Sequence, residues 1–414
     1  MQKAKAFLLS GKFLFDKKLA NILWFGLSII TIIQNLLDIE HRINIYKIFK
    51  YSYVHIHQHL NLYQLYPAQH DDVFLYGPTF AAFIAPFAML PDWLGVIFWV
   101  LFNVSILFFA IRQLPVKQVY QNVILILASH EMMNASSWLQ YNAVIAACII
   151  LGFTYIQKGK EHLALLFIVF ATITKVYGIV AFSFFLFSNK KAKFILWSVI
   201  WFAVFFILPI LITPFSFIIQ SYQDWISALI YKNQKNMNGV DIKYYFQDIS
   251  VTGLIKRNIN GHFEGEIYVL ATGSFIFLLK LIRYEYFKDL RYQLYFLCSV
   301  LLFVVIFSTG AESPTYIIAF PACCLWFVMQ PPSKAANAFF VFCLIVTSFS
   351  YSDLLTKYSR EFSMQHSLKA LPCLILWLVI VYQIITKQFL KVDVDNGLKL
   401  RFVNSSINNK NVSS

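Results

Sequence analysis

The chain has 414 residues, of which 59% are hydrophobic, 18% aromatic and only 13% charged. A soluble domain of this size cannot hide that much apolar surface in one core, so the solvent for most of the chain is lipid. The formal charge of +14 does not mark a nucleic-acid binder, because Lys and Arg fall in short clusters between apolar runs and form no continuous basic face.

Taken in chain order, the first window long enough to cross roughly 30 Å of hydrocarbon is 19–37. Basic residues precede it, but Ala20–Leu37 has no small-residue cleavage site and more spans follow, so it reads as a retained span. A loop over 38–76 comes next, then a short apolar run, 77–90, bracketed by Pro78 and Pro91. Further full windows lie at 93–111, 118–134, 140–157, 194–213, 266–283, 292–309, 314–330, 336–351 and 368–386. The runs 162–173 and 176–188 are each too short for an ordinary span and meet at Thr174–Lys175, which predicts a re-entrant pair or one broken helix. The expected fold is an all-α polytopic membrane protein of about ten to twelve helices, with residues 1–390 as one domain and 391–414 as a polar tail, disordered over Asn404–Ser414.

With Lys3, Lys5, Lys12, Lys17 and Lys18 in the cytoplasm, alternate counting places Arg112, Lys117, Lys158, Lys160, Lys190, Lys191, Lys193, Arg283, Lys288, Arg291, Lys334, Lys387 and Lys391 there too. Both termini are then cytoplasmic, and the long segments 38–76 and 214–265 fall on the opposite face. Loops of that length are functional or disordered, and these are aromatic-rich, which favours order and function. All six cysteines lie in or at the edge of apolar runs, where cysteine behaves as a small hydrophobe, so no disulfide is assigned.

Lys175 stands out as the one basic residue deep between apolar runs; such a charge costs about 2.5–3.5 kcal/mol at a helix centre and calls for an anionic partner, though snorkelling is the plainer alternative. Glu312 precedes Pro314 at a helix start, where an acid serves equally as a cap or as a catalytic carboxylate; His130-Glu131 admits the same two readings. Asp71 and Asp72 stand just before the chain re-enters the membrane and supply carboxylates for a general base. His55, His57 and His59 alternate with other residues, but no third ligand accompanies the pair that would share a helix face, so no metal is assigned. Arg257 is suited to clamp a phosphate and Trp225 to stack on a sugar or anchor at the interface.

These pieces, in order, resemble the membrane glycosyltransferases of family 87, which have the GT-C architecture. The resemblance rests on Asn61-Leu62-Tyr63; on Tyr76-Gly77-Pro78-Thr79-Phe80 through Leu90-Pro91; and on Leu139-Gln140-Tyr141-Asn142, similar to the family's Gly-Gln-x-Asn. It continues through Thr174-Lys175, Ser221 to Trp225, Ser250 to Arg257 and Glu312 to Tyr316. It implies a GT-C-like bundle and transfer of a hexosyl, mannosyl-like unit from a polyprenyl-phosphate sugar to a glycan or glycolipid acceptor. The reaction face would be non-cytoplasmic and the setting a bacterial inner membrane, with membrane lipids and the two substrates as partners and no cofactor. Lys175 and Arg257 would bind phosphate, and Tyr76, Gln140, Asn142 and Trp225 the sugar or acceptor; Gln140 and Asn142 equally suit polar contacts between helices. One departure matters: where the family often places Asp after the first span, this chain reads Arg42-Ile43-Asn44-Ile45-Tyr46, and Asn44 cannot act as a base. The base then falls to Asp71, Asp72, Glu40 or Glu312, or the protein is a carrier or flippase for a lipid-linked sugar.

Overall fold

The computed structural model describes residues 12–238 and 247–391. Lys3, Lys5, residues 239–246 of the second long loop and the tail 392–414 lie outside the described residues. Among the described residues every regular element is helical. Four helices are long and apolar enough to cross a membrane: Lys17–Leu37, Asp92–Gln113, Lys191–Leu211 and Glu266–Tyr286. A fifth span arises if Lys357–Gln365 and Ala370–Ile385, bent by 59° at their junction, count as one. This is an integral, all-α polytopic membrane protein.

Several windows read as full crossings are shorter helices, among them Asn142–Gln157, Leu290–Ile306 and Ser313–Met329. A helix of 16 residues is about 24 Å long at about 1.5 Å per residue. It falls short of the hydrocarbon thickness because its neighbours are protein rather than lipid: nearly every residue of Asn142–Gln157 and of Leu290–Ile306 is buried. By contrast, only 11% of the apolar window in Lys191–Leu211 and 17% of that in Glu266–Tyr286 is buried, so these two present their side chains to lipid. The helix Gln118–Ser137 is long enough, but Gln121, Asn122, Ser129, His130, Glu131 and Asn134 lower its hydropathy.

The break expected at Thr174–Lys175 is present: Lys175 adopts extended backbone (φ −147°, ψ 117°) between Glu161–Thr174 and the 3-10 helix Val176–Phe187. Parts of the long segments are helical, Asn44–His57 in the first, Phe215–Asn238 and Val251–Asn258 in the second. All six cysteines are buried and free.

The chain forms two compact units. One comprises Ser28–Gln113 and Met132–Gly239. Its centre is the helix Asn142–Gln157, packed between Asp92–Gln113 and Glu161–Thr174, with Lys191–Ile207 on the far side of the latter. The other comprises Met1–Leu27, Leu114–Glu131 and Val240–Ser414, and is built on Leu290–Ile306 packed against Tyr316–Met329 and Ala370–Ile385.

Lys175 is not the only lysine in apolar surroundings. Lys280, which the sequence hid beside the basic cluster at Arg283, is fully buried with its ammonium 3.3 Å from the Phe277 ring centroid and 4.2 Å from that of Phe296. Lys369, at the start of the last apolar window, is fully buried too and grips both Glu131 oxygens at 2.9 and 3.1 Å and Ser313 Oγ at 3.1 Å. Removing one member of such a pair strands the other charge, a loss of about 3–5 kcal/mol, whereas removing both is far milder. Glu131→Gln and Lys369→Met are therefore expected to lower the thermal unfolding midpoint of the purified protein, and Glu131→Leu combined with Lys369→Met to recover most of it. Equal losses in the single and double variants would mean that packing, and not the ion pair, matters there.

Candidate functional site

The first unit gathers five of the residues singled out above, and the backbone shows how. Pro78 fits the first turn of Pro78–Phe83, where a missing N–H costs nothing. The preceding Gly77 donates its N–H to Thr174 O at 3.0 Å, so the re-entering chain crosses the broken helix at its last turn. The approach is so close that a Cβ on Gly77 would lie 1.9 Å from Ile173 O and 3.2 Å from the Trp225 ring. Gly77→Ala must therefore push the two segments apart, and we expect lower stability and lower activity together; unaltered unfolding and turnover would show that the crossing can give way.

Around this crossing, Lys175 donates to Asn142 Oδ1 at 2.7 Å, and its ammonium lies 4.5 Å from the Tyr177 ring centroid and 5.3 Å from that of Tyr76. Aromatic faces favour a cation, so both rings stabilise the ammonium where it stands. Lys175 is only partly buried, as a residue that meets a ligand must be. Tyr76 OH reaches Gln140 Oε1 at 3.5 Å, and the adjoining Tyr141 and Thr174 hydroxyls lie 3.3 Å apart. Asn142 is fully buried and Gln140 nearly so.

Trp225 is 7% exposed. Its indole N–H donates to Leu75 O at 3.0 Å, so it braces residues 75–77 instead of offering an open stacking face. The first loop is held to the helix Phe215–Asn238 a second time, through Asn61 Nδ2 donating to Asp224 Oδ2 at 2.9 Å. Tyr63 adds a bond to Tyr76 O at 3.0 Å. Asn61 and Asp224 belong to the quoted motifs, but only the folded chain reveals their pairing.

The first loop also carries the two acids, Asp71 and Asp72. Asn44 Oδ1 accepts the backbone N–H of Asp71 at 2.9 Å, which places Asp71 beside Asn44. Asp71 is exposed, and its carboxylate makes no hydrogen bond or ion pair among the described residues. Asp72 is exposed as well, but its Oδ1 accepts from Val73 N–H at 2.8 Å.

Behind them stand two buried histidines. His70 Nδ1 lies 2.7 Å from Asp72 O, an acceptor only, so that nitrogen carries the proton; His55 Nε2 lies 2.7 Å from Gln69 Oε1, and the Tyr66 ring lies tilted over His55 with centroids 3.9 Å apart. Burial lowers the pKa of both from the ordinary 6.5, outweighing the hydrogen bonds to Gln69 and to Asp72 O that raise it. Well above pH 6.5 the rings are neutral whether the segment is folded or not. As pH falls below that value the unfolded segment takes up protons that the buried rings resist, so local stability declines. Amide exchange of residues 58–76, corrected for intrinsic rates, should therefore show more opening at about pH 5.5 than at about pH 7.5. Equal protection would contradict it. His57 and His59 are exposed, and among the described residues no group of three or more His, Cys, Asp or Glu side chains is placed to hold a metal ion.

The second unit holds the other two candidates. Glu312 is half-buried and caps the turn Ser313–Thr315, its backbone N–H bonded to Thr315 Oγ1 at 3.1 Å. Ile249 N–H donates to Ala311 O at 2.8 Å and Tyr316 OH to Ile249 O at 2.9 Å, which ties this turn to the segment carrying Arg257. There Ser250 caps Val251–Asn258 and donates to Asp248 Oδ1 at 2.5 Å. Burial raises the Asp248 carboxyl pKa, against the Ser250 hydrogen bond and the charges of Lys256 and Arg257. The Arg257 guanidinium is engaged by Gln247 O, Met364 O and Ser367 Oγ, so an anion there competes with contacts that hold the loop.

No curated protein and no solved structure matches the chain. The model of glycosyltransferase family 87 matches residues 74–309, more than half of it. That stretch contains Tyr76, Gln140, Asn142, Lys175, Trp225 and Arg257, while Asn44, Asp71 and Asp72 precede it and Glu312 follows it. The chain thus belongs to glycosyltransferase family 87 and is a membrane glycosyltransferase.

Proposed function

We propose that the protein moves a hexosyl, mannosyl-like unit from a polyprenyl-phosphate sugar to a hydroxyl of a glycan or glycolipid, on the non-cytoplasmic face of a bacterial inner membrane, in a GT-C-like bundle with both termini cytoplasmic. The observation that carries this reading is Lys175, a cation at a helix break, beside Tyr76, Tyr177 and Asn142 and within a membrane domain. A lipid-borne phosphate presents its charge at such a place while its chain stays in hydrocarbon.

In this reaction a base takes the acceptor proton, the acceptor oxygen bonds to the anomeric carbon, and the bond from that carbon to the phosphate oxygen breaks with its electrons on the phosphate. Lys175 holds the charge that grows on the departing polyprenyl phosphate. Asp71 is the base, favoured over Glu312 and Asp72 because its carboxylate is uncommitted, and over Glu40 because Asn44 fixes its backbone. Gln140 and Asn142 orient sugar hydroxyls and the lysine, and Trp225 braces the loop.

Asn44, where the resemblance implies an acid, favours one rival, a carrier for a lipid-linked sugar that needs no base. Transfer from a radiolabelled polyprenyl-phosphate sugar, in vesicles bearing wild type, Asp71→Asn, Asp72→Asn, Glu312→Gln or Lys175→Ala, separates the two. Turnover that collapses in one acid variant supports the transferase and names its base. Lysine-dependent donor binding with no turnover in any form supports the carrier.

A further inference from the structure

A second polar site lies away from Lys175, in the same unit, where the chain leaves the span Lys17–Leu37 and enters the span Asp92–Gln113. Glu40, Lys47, Lys50, Asp92 and Trp93 line a cleft of about 430 Å³ there. That is within the range of sites that enclose small molecules, about 300–1,000 Å³. Lys47 and Lys50 are three residues apart on the helix Asn44–His57 and so share a face. Lys50 pairs with Asp92 Oδ1 at 2.6 Å and donates to Leu90 O at 3.1 Å. Lys47 makes only a long contact of 3.4 Å to Glu40 O. The Glu40 carboxylate has no hydrogen bond or ion pair among the described residues.

Three features together restrict what fits. The cleft has two cations and two carboxylates, so a simple anion meets as much repulsion as attraction, whereas a ligand bearing a phosphate and an ammonium meets a partner for each. It opens at the ends of two spans, the level of lipid headgroups. Trp93, which lines it, is 54% exposed, and the large apolar residues just before its lining segments in sequence, Leu37 and Met89, are 82% and 72% exposed, a surface for acyl chains and not for water. We propose that this cleft binds the headgroup of a zwitterionic phospholipid with a primary ammonium, of the phosphatidylethanolamine type. Its phosphate lies on Lys47 and Lys50, its ammonium on Glu40 and Asp92, and its chains run along Leu37, Met89 and Trp93. A primary ammonium is specified because carboxylates reward N–H donors, which a trimethylammonium lacks.

Native mass spectrometry of the full chain in detergent, titrated with short-chain phosphatidylethanolamine, phosphatidylglycerol or phosphatidylcholine, tests this. Wild type is expected to hold phosphatidylethanolamine about tenfold more tightly than the other two, the scale of one charge-assisted contact. Lys47→Gln weakens all three phospholipids, while Glu40→Gln weakens phosphatidylethanolamine alone and abolishes the discrimination. Both positions are at or near the surface, and unchanged thermal unfolding verifies that each variant is folded. Phosphoethanolamine without chains should compete only at much higher concentration. The proposal is overturned if phosphatidylglycerol binds as tightly, which makes it an anion site, or if phosphatidylcholine does, which makes Trp93 the recognition element. It is equally overturned if the free headgroup competes on equal terms or if neither variant alters binding.

Discussion

Asp71→Asn is expected to lower the rate of sugar transfer by about 10²- to 10⁴-fold, the usual contribution of a general base, while donor binding and thermal stability stay near wild type. The side chain is exposed and its carboxylate is unengaged, so the fold does not depend on its charge. The juxtaposition with Asn44 adds a sharper outcome. If the acid has moved from one side of this 2.9 Å contact to the other, Asn44→Asp introduced into the Asp71→Asn variant returns a carboxylate to the vicinity and restores part of the lost activity. The readout is turnover with radiolabelled donor in reconstituted vesicles. Full activity in Asp71→Asn would exclude Asp71, and loss in Glu312→Gln alone would transfer the role to the other unit.

Lys175→Ala is expected to cost about 10²- to 10³-fold in turnover, the scale of removing one preorganised charge from a developing anion, and to weaken donor binding as well. Lys175→Arg should recover binding better than turnover, because a guanidinium meets phosphate but is bulkier between the Tyr76 and Tyr177 rings. Two control variants, Tyr177→Leu and Asn142→Leu, separate charge from placement: each keeps the cation but removes what steers it, so each should lose part of the rate while donor binding persists. Loss of binding in all four variants with folding intact would favour simple capture of the lipid phosphate over leaving-group stabilisation.

The sequence revealed the class and much of the cluster around the helix break for a plain reason: lipid as solvent leaves long apolar windows and localised punctuation. The break at Lys175 was legible because neither flanking run could span alone, and the motif at Tyr76-Gly77-Pro78 was legible from its proline and glycine. What the windows concealed was whether an apolar helix faces lipid or protein. Asn142–Gln157 and Lys191–Ile207 are similarly apolar, yet the first is buried and the second largely bare. Pairings over long separations were also out of reach. Nothing near Glu131 in sequence points to Lys369, and nothing in Trp225 shows that its N–H is taken by Leu75 O. Asp71 and Asp72 read alike in sequence, and only the contacts to Asn44 and Val73 tell them apart.

The bond between Lys369 and Glu131, 238 residues apart, bears on how the chain is made. Synthesis delivers residues in order, and the unit of Ser28–Gln113 and Met132–Gly239 has all its parts once about residue 239 has emerged. The other unit has by then received Leu114–Glu131 but not the residues that will pack on it. A carboxylate whose lysine has not yet been translated must wait, either near the aqueous boundary or in the care of the insertion machinery. The two units therefore mature at different times, and truncation before Lys369 should spare the early one while leaving the late one a substrate for membrane quality control.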